Sequence, residues 1–240
     1  MRRFCRSLMD LLFPPHCLAC ETALPSSQGI LFCADCLPRL SFLSSPLCPC
    51  CGRHFPKAAG GDHFCGACLT QKYHFTAARA LLLYDEPVKT LIHRLKYQGA
   101  TACLPSLARL LASRPLPACF ADADLILPVP LHEKRLAERG FNQAQLLAQA
   151  FFPRDPRLQR DLLRRERATA PQTGMGGRER RRNLRNAFAV ADKTTVLGKS
   201  VLLVDDVFTT GSTVNECALT LKKAGASEVL ALTLARVREG

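Results

Sequence analysis

The chain runs to 240 residues, 48% of them apolar, and its 33 Lys and Arg against 20 Asp and Glu give a formal charge of +13. That apolar share excludes a disordered chain, and no apolar run approaches the roughly 20 residues that a spanning helix needs. The cation excess points to an anionic partner; nucleic acid, a phosphorylated substrate and an acidic membrane all fit it.

The N-terminal MRRFCRSLMDLLFPP begins basic, but Asp10 interrupts its apolar stretch and Pro14-Pro15 closes it. No small-residue cleavage site follows, so the pattern predicts no signal peptide and a cytoplasmic location. Thirteen cysteines follow the same logic of compartment. Cys5, Cys17, Cys20, Cys33, Cys36, Cys48, Cys50, Cys51, Cys65 and Cys68 crowd the front of the chain. Eight of them form Cys-x-x-Cys pairs, in HCLAC, FCADC, CPCC and CGAC. Two sulfurs on one tight turn can share a metal, and two such turns complete a tetrahedral site, so the pattern is that of zinc ribbons. The ligand set is Cys17, Cys20, Cys33 and Cys36, with Cys48, Cys51, Cys65 and Cys68 as a second site. Interleaved pairing stays open, Cys50 could replace a neighbour, and His16, His54 and His63 are possible substitutes. Gly52 and Gly66 suit the knuckle turns, where positive φ is cheap. A disulfide scaffold requires an oxidising compartment; a single redox-active pair does not explain four similar ones. Cys103, Cys119 and Cys217 lie in apolar contexts and read as core. A metal-stapled unit is therefore predicted over residues 1–72, because a loop-rich span of this size builds little core alone.

Beyond it the pattern changes to alternating strand and helix over 73–240. AARALLLY (77–84) reads as a strand. Pro87 opens a helix to Tyr97 with Val88, Leu91, Ile92 and Leu95 on one face and Lys89, Arg94 and Lys96 away from it; Gly99 stops it. A second helix is predicted over 104–113, ended by Pro115 and Pro117. DLILPV (124–129) is a buried strand. A helix over 142–152 has Asn142 as its cap and Leu146, Leu147, Ala150 and Phe151 inside. The segment 154–185 holds eleven arginines and four acids around ATAPQTGMGG; a long loop of this kind inside a compact domain is more often functional than a bare solvated face. NAFAV (186–190) and VLLVDD (201–206) are strands. Thr213 and Glu216 have capping-box spacing, Val214, Cys217, Ala218 and Leu221 form a stripe, Gly225 stops that helix, and EVLALTLA (228–235) is the last strand. This order predicts a parallel α/β sheet.

The chemistry concentrates in VLLVDDVFTTGST (201–213). A buried strand delivers two acids to its C-terminal end, where open α/β sheets bind ligands. The turn behind them feeds a helix N-terminus, an anion site. Thr209, Thr210, Ser212 and Thr213 add hydroxyl donors, and Gly211 lets the backbone close on a ligand. A phosphate held there leaves Asp205 and Asp206 able to accept from ribose hydroxyls, so the unit is shaped for a ribose 5-phosphate. No Gly-Lys-Ser/Thr is present, so it is not a nucleotide P-loop. His93 and His132 stand isolated and read as structural or solvent-facing.

This stretch resembles the 5-phosphoribosyl 1-pyrophosphate motif of type I phosphoribosyltransferases. LPVPLHEKRLAERGFNQA (127–144), Gln172 followed by Arg180 and Asn183, AF at 187–188 and the cysteine-rich front extend the likeness over nearly the whole chain, to the ComF (GntX-like) family. The resemblance implies a zinc ribbon before a phosphoribosyltransferase-type domain and a role in DNA uptake or utilisation, including natural competence. It implies a diphosphate loop at 130–141 with Arg135 and Arg139 as anion contacts. It makes 165–185, with Gln172 and Arg180, the loop that closes over the site. Magnesium would bridge diphosphate and ribose hydroxyls beside the catalytic candidates Asp205 and Asp206. The implied partners are phosphoribosyl pyrophosphate, single-stranded DNA and DNA-uptake helicase machinery. Three readings stay open: an active transferase of unknown acceptor, a DNA-binding protein that keeps the phosphoribosyl site for sensing, and a non-catalytic zinc-ribbon adaptor with a vestigial site.

Overall fold

The computed structural model describes residues 14–25, 29–55, 60–114, 116–168 and 182–238. Cys5, Gln172, Gly174, Gly176, Gly177 and Arg180 lie outside them.

Four parallel strands form the main sheet in the order β1-β6-β5-β2: β1 (Ala77–Leu83), β2 (Leu125–Pro128), β5 (Ser200–Phe208) and β6 (Glu228–Arg236). A two-stranded antiparallel pair, β3 (Leu163–Arg165) and β4 (Phe188–Val190), stands beside it. The described helices of the α/β part are α2 (Val88–Tyr97), α3 (Leu104–Ala112), α4 (Ala118–Ala121), α5 (Glu133–Arg139), α6 (Gln143–Phe151), α7 (Lys193–Val196) and α8 (Ser212–Lys223); α1 (Gly66–Thr70) belongs to the cysteine-rich front. None of the described helices is long and apolar enough to cross a membrane.

The central strands β5 and β6 are apolar on both faces, which a parallel sheet covered on both sides requires. Alternation then sorts their side chains. Leu202, Val204, Leu230 and Leu232 face one core, with Leu91, Ile92 and Leu95 of α2, Leu107 of α3 and Leu147 of α6. Val201, Leu203, Val229 and Ala231 face the other, with Val214, Cys217, Ala218 and Leu221 of α8. The cysteine-rich front reaches both faces. Cys17, Cys36, Phe32 and Leu40 pack into the first core, and Cys48, Cys51, Cys65 and Phe75 into the second.

The front also holds the sheet's edge. Phe42 bridges antiparallel to Leu82, Leu43 N–H donates to Leu81 O (3.1 Å), Leu83 N–H to Ser41 O (2.8 Å) and Ala78 N–H to Cys50 O (2.6 Å). At the opposite edge, Ile126 N–H donates to Arg157 O and Gln159 N–H to Ile126 O. Gly52, at φ +71, passes so close to β1 that a Cβ there would lie 2.5 Å from Ala78 O.

Several local expectations are corrected. The buried face of α6 is Gln143, Ala144, Leu147 and Ala148, while Leu146, Ala150 and Phe151 are half-buried. Asn142 does cap that helix, accepting from Ala144 N–H (3.0 Å). Gly66 opens α1 without a positive φ, so only Gly52 fits the knuckle argument. The capping box of α8 is not formed: its N-cap is Gly211, and Glu216 instead accepts from Asn186 N–H (2.7 Å), holding the entry to β4. Residues 130–141 are not a loop throughout, because EKRLAER winds into α5 and stops at Gly140, φ +79. Cys119 is exposed, whereas Cys103 and Cys217 are core residues whose thiol pKa values burial pushes up.

Candidate functional site

Two cysteine clusters form as the sequential pairing predicts. Sγ atoms of Cys17, Cys20, Cys33 and Cys36 lie within 4.8 Å of one another, and so do those of Cys48, Cys51, Cys65 and Cys68. Tetrahedral zinc with sulfurs at about 2.3 Å sets neighbouring sulfurs somewhat under 4 Å apart. Cys20 Sγ to Cys33 Sγ and Cys51 Sγ to Cys65 Sγ are both 3.6 Å, so the donor set and spacing fit that ion. Backbone N–H groups of Cys33 and Cys65 donate to Cys17 Sγ (3.3 Å) and Cys48 Sγ (3.4 Å), the contacts that thiolates recruit. Cys50 stands outside both sets, as do His16, His54 and His63. His63 stacks on Phe55.

The second cluster is tied to the sheet. Arg236, the last residue of β6, donates to Cys51 O (2.6 Å) and reaches Cys51 Sγ (3.6 Å). Its guanidinium lies 4.6 Å from the centroid of the Phe208 ring. Phe208 in turn sits under Gly211.

The acids lie within β5, not at its end. Asp205 pairs with Thr233, and the strand continues through Val207 and Phe208, paired with Ala235 and Arg236. On the other side β2 ends at Pro128 opposite Val204. The acid pair is therefore the first part of β5 left without a strand on that flank, which opens a cleft. Consecutive strand residues face opposite ways. Asp206 is buried toward α2, where Lys96 Nζ lies 2.8 Å from its Oδ2. Burial works against the Lys96 charge, but the Asp206 carboxylate more than offsets it and the amine's pKa is raised. Asp205 is half-buried and accepts from Asp206 N–H (2.8 Å). Burial first, and then the Asp206 charge, push its pKa up to about 8, against the pull of Lys96 and Arg165.

The phosphate-shaped turn follows at once. Thr209 and Thr210 are half-buried, Gly211 adopts φ +72, and Ser212 and Thr213 open α8. Thr210 Oγ1 and Ser212 Oγ are 2.7 Å apart. Gly211 is required here by conformation and by space, since a Cβ would meet Phe208 Cζ at 2.5 Å. Gly211→Val should thus cost about 1–3 kcal/mol from the left-handed backbone alone, more once Phe208 is displaced. Urea unfolding and phosphate titration both read it; a variant unchanged in both would show the turn is not strained by a side chain.

Arg135 and Arg139 of α5 are half-buried and join Lys96, the partner of Asp206, around a cavity of about 400 Å³. Arg139 donates to Gln143 Oε1 (2.5 Å). Arg165 of β3 is buried against the Phe188 ring, and its pKa is lowered by burial and by the nearby Arg135 charge. Sequence patterns missed Lys96, Arg165 and Arg236. Lys96 was visible only as a residue off the apolar face of α2, and nothing local marks its partner on β5.

Comparison with known proteins fits this geometry. The double zinc ribbon domain model matches residues 8–69 and the phosphoribosyl transferase domain model residues 136–240. Competence protein F of Haemophilus influenzae is 36% identical over 230 residues, covering 92% of this chain and 96% of its own length. The chain belongs to the competence protein F family, the ComF family. DNA utilization protein YhgH of Escherichia coli strain K12 is 36% identical over 238 residues, 94% of this chain and 99% of that protein. Competence protein ComFC of Bacillus subtilis strain 168 is 26% identical over 212 residues, 85% and 83% respectively. This ComF-family chain is thus a parallel-sheet phosphoribosyltransferase-type α/β protein with an N-terminal double zinc ribbon. Lys96 precedes the part that the phosphoribosyl transferase model matches, yet it closes the acid pair.

Proposed function

We propose that this protein binds 5-phosphoribosyl 1-pyrophosphate and acts with DNA in its uptake or utilisation, as the names of its relatives suggest. The observation that supports the reading is the Gly211 turn, which follows Asp205 and Asp206 in the chain, while Lys96, the partner of Asp206, lines a cavity with Arg135 and Arg139. In this reading N–H groups and hydroxyls of residues 209–213 hold the 5-phosphate. The acid pair accepts from the ribose hydroxyls, and the cleft cations hold the diphosphate. Loss of diphosphate leaves positive charge on the ribose ring and negative charge on the leaving group, and in this reading Lys96, Arg135 and Arg139 stabilise that developing anion. Magnesium, an oxygen-seeking ion that keeps several waters, would take Asp205 most readily, since Asp206 is engaged by Lys96; it would supply charge neutralisation on the phosphates. The residues 1–72 and 73–240 serve as a metal-stapled part and a ligand-binding part of one molecule, the former available to a helicase of the uptake machinery.

Calorimetry with phosphoribosyl pyrophosphate and magnesium tests the site. Asp206→Asn should weaken ribose 5-phosphate by roughly ten- to a hundredfold, the value of a hydrogen bond to a charged group, while inorganic phosphate binds about as before. No ribose 5-phosphate binding by the parent protein would sink the reading. For DNA, affinity for a single strand should fall steeply with salt, by about 0.7 in log-log slope per phosphate neutralised. Replacing Arg135 and Arg139 by Ala should flatten that slope; an unaltered slope would place the strand elsewhere.

A further inference from the structure

One buried cation touches both the second cysteine cluster and the support of the phosphate turn. Arg236 ends β6 and is only 3% exposed. A buried charge needs an opposing one, and four thiolates around a zinc ion carry a net charge of about −2. The Arg236 fork meets that cluster at Cys51, whose O lies at 2.6 Å and whose Sγ lies at 3.6 Å. The same guanidinium stands 4.6 Å from the centroid of the Phe208 ring. That ring fills the space where a Cβ on Gly211 would stand. The next residue, Val237, donates its N–H to Phe208 O (3.0 Å). A second set of contacts runs beside the first. Phe75, in the same core as Cys48, Cys51 and Cys65, packs edge-on against Phe208 with centroids 6.0 Å apart. His74 N–H donates to Asn215 Oδ1 (2.7 Å) in the first turn of α8.

We infer that Arg236 is a positioning residue that couples the second cysteine site to the phosphate turn, so that metal at Cys48, Cys51, Cys65 and Cys68 and an anion at residues 209–213 strengthen each other's binding. The inference rests on the phosphoribosyl reading above for the identity of the anion. A metal-bound knuckle fixes Cys51 and with it the Arg236 fork. Phe208 is then fixed beneath Gly211, and the turn keeps the φ of +72 that sets its N–H groups for phosphate. Side chains packed at this density pass a displacement on to their neighbours. Without metal the knuckle loosens, and the anion must order the turn itself, which weakens its binding. Thermodynamic linkage makes the effect reciprocal. The first cluster packs into the other core and is the internal control.

Zinc affinity would be measured on the full chain by competition with a chelator, with and without saturating ribose 5-phosphate. In the parent, one of the two cysteine sites should gain about five- to 150-fold in affinity, the usual range of coupling between sites, and the other should stay as it was. Cys68→Ser, which disables the second site, should remove the step that responds and weaken ribose 5-phosphate by the same factor. Arg236→Met should abolish the coupling; Arg236→Lys, which keeps the charge but not the planar fork, should reduce it and serves if the first variant fails to fold. Arg79 braces the same knuckle from β1 by donating to Pro49 O (2.9 Å), so Arg79→Met should leave the coupling intact. Ribose 5-phosphate that binds without changing either zinc affinity overturns the inference. So does an equal gain at both sites, which is general stabilisation of the fold, and so does coupling that survives Arg236→Met. Hydrogen exchange reads the same link without any ligand. The Asn215 amide is bonded to Gly211 O (2.8 Å) and the Val237 amide to Phe208 O. Both should exchange at least about fivefold faster in Arg236→Met with its metal bound than in the parent; unchanged rates overturn the inference. If ribose 5-phosphate fails to bind the parent, the phosphoribosyl reading falls, and the exchange rates alone decide whether Arg236 holds the turn.

Discussion

Stripping metal from the protein should cost it a large part of its fold. Structural zinc contributes about 10–16 kcal/mol per site in small ribbons, comparable with the whole stability of an ordinary domain. Here each cluster is also a wall of a core: Cys17 and Cys36 in one, Cys48, Cys51 and Cys65 in the other. Purified protein should hold about two zinc ions per chain, one for each four-sulfur site. Chelation should make eight thiols newly reactive, unfold the front before the sheet, and lower the thermal midpoint by about 10 °C or more. Metal analysis and calorimetry with and without chelator read both effects. An unchanged midpoint after complete metal removal, or pairs found oxidised in fresh extract, would sink the zinc assignment.

Lys96→Ala should be the most damaging change at the ligand site. It strands the Asp206 carboxylate, whose Oδ2 has the Lys96 amine as its one partner among the described residues. Breaking a buried ion pair costs about 3–5 kcal/mol. The Lys96 side chain is 24% exposed, so water relieves part of this and the lower figure is the expectation. The loss should depend on pH in a definite direction. Asp205 already has its pKa raised from 3.8 to about 8, so the folded state holds its proton more tightly than the unfolded chain does. Its contribution to stability is fully present below 3.8 and is lost as pH rises toward 8. Removing Lys96 takes away a charge that lowers the Asp205 pKa, which strengthens this trend. Urea unfolding of parent and variant across this range should show the gap widest at alkaline pH and narrowing as pH falls. A gap independent of pH would mean that lost packing, not stranded charge, is the cause.

Much of this was legible in the sequence because it depends on local rules. The strand β6, the stripe on α8 and the helix α2 follow from apolar periodicity, and the four Cys pairs declare their own geometry. What escaped depends on partners far along the chain. Asp206 finds Lys96 on a helix 110 positions earlier, and no spacing rule links them. Glu216 had the right offset for a capping box, but the positive φ at Gly211 removed the cap residue and Asn186 offered a competing N–H. Strand β5 overruns the acids because β6 continues alongside it, a fact about its neighbour and not about Val207 or Phe208. The helix α5 was within reach: EKRLAER has strong helix formers and ends in glycine, and treating 130–141 as a binding loop passed over them.

The edge pairing of the sheet has a consequence for how this molecule can be divided. Segment 41–43 and the Cys50 carbonyl occupy the free side of β1, and residues 157–159 the free side of β2. A cut at 72/73 would leave the second of these guards and remove the first, baring Leu81 O and the N–H groups of Ala78 and Leu83 along an apolar strand. Such a rim is a template on which another copy can add its own strand. The cysteine-rich front thus covers a sheet edge that would otherwise be open to strand addition.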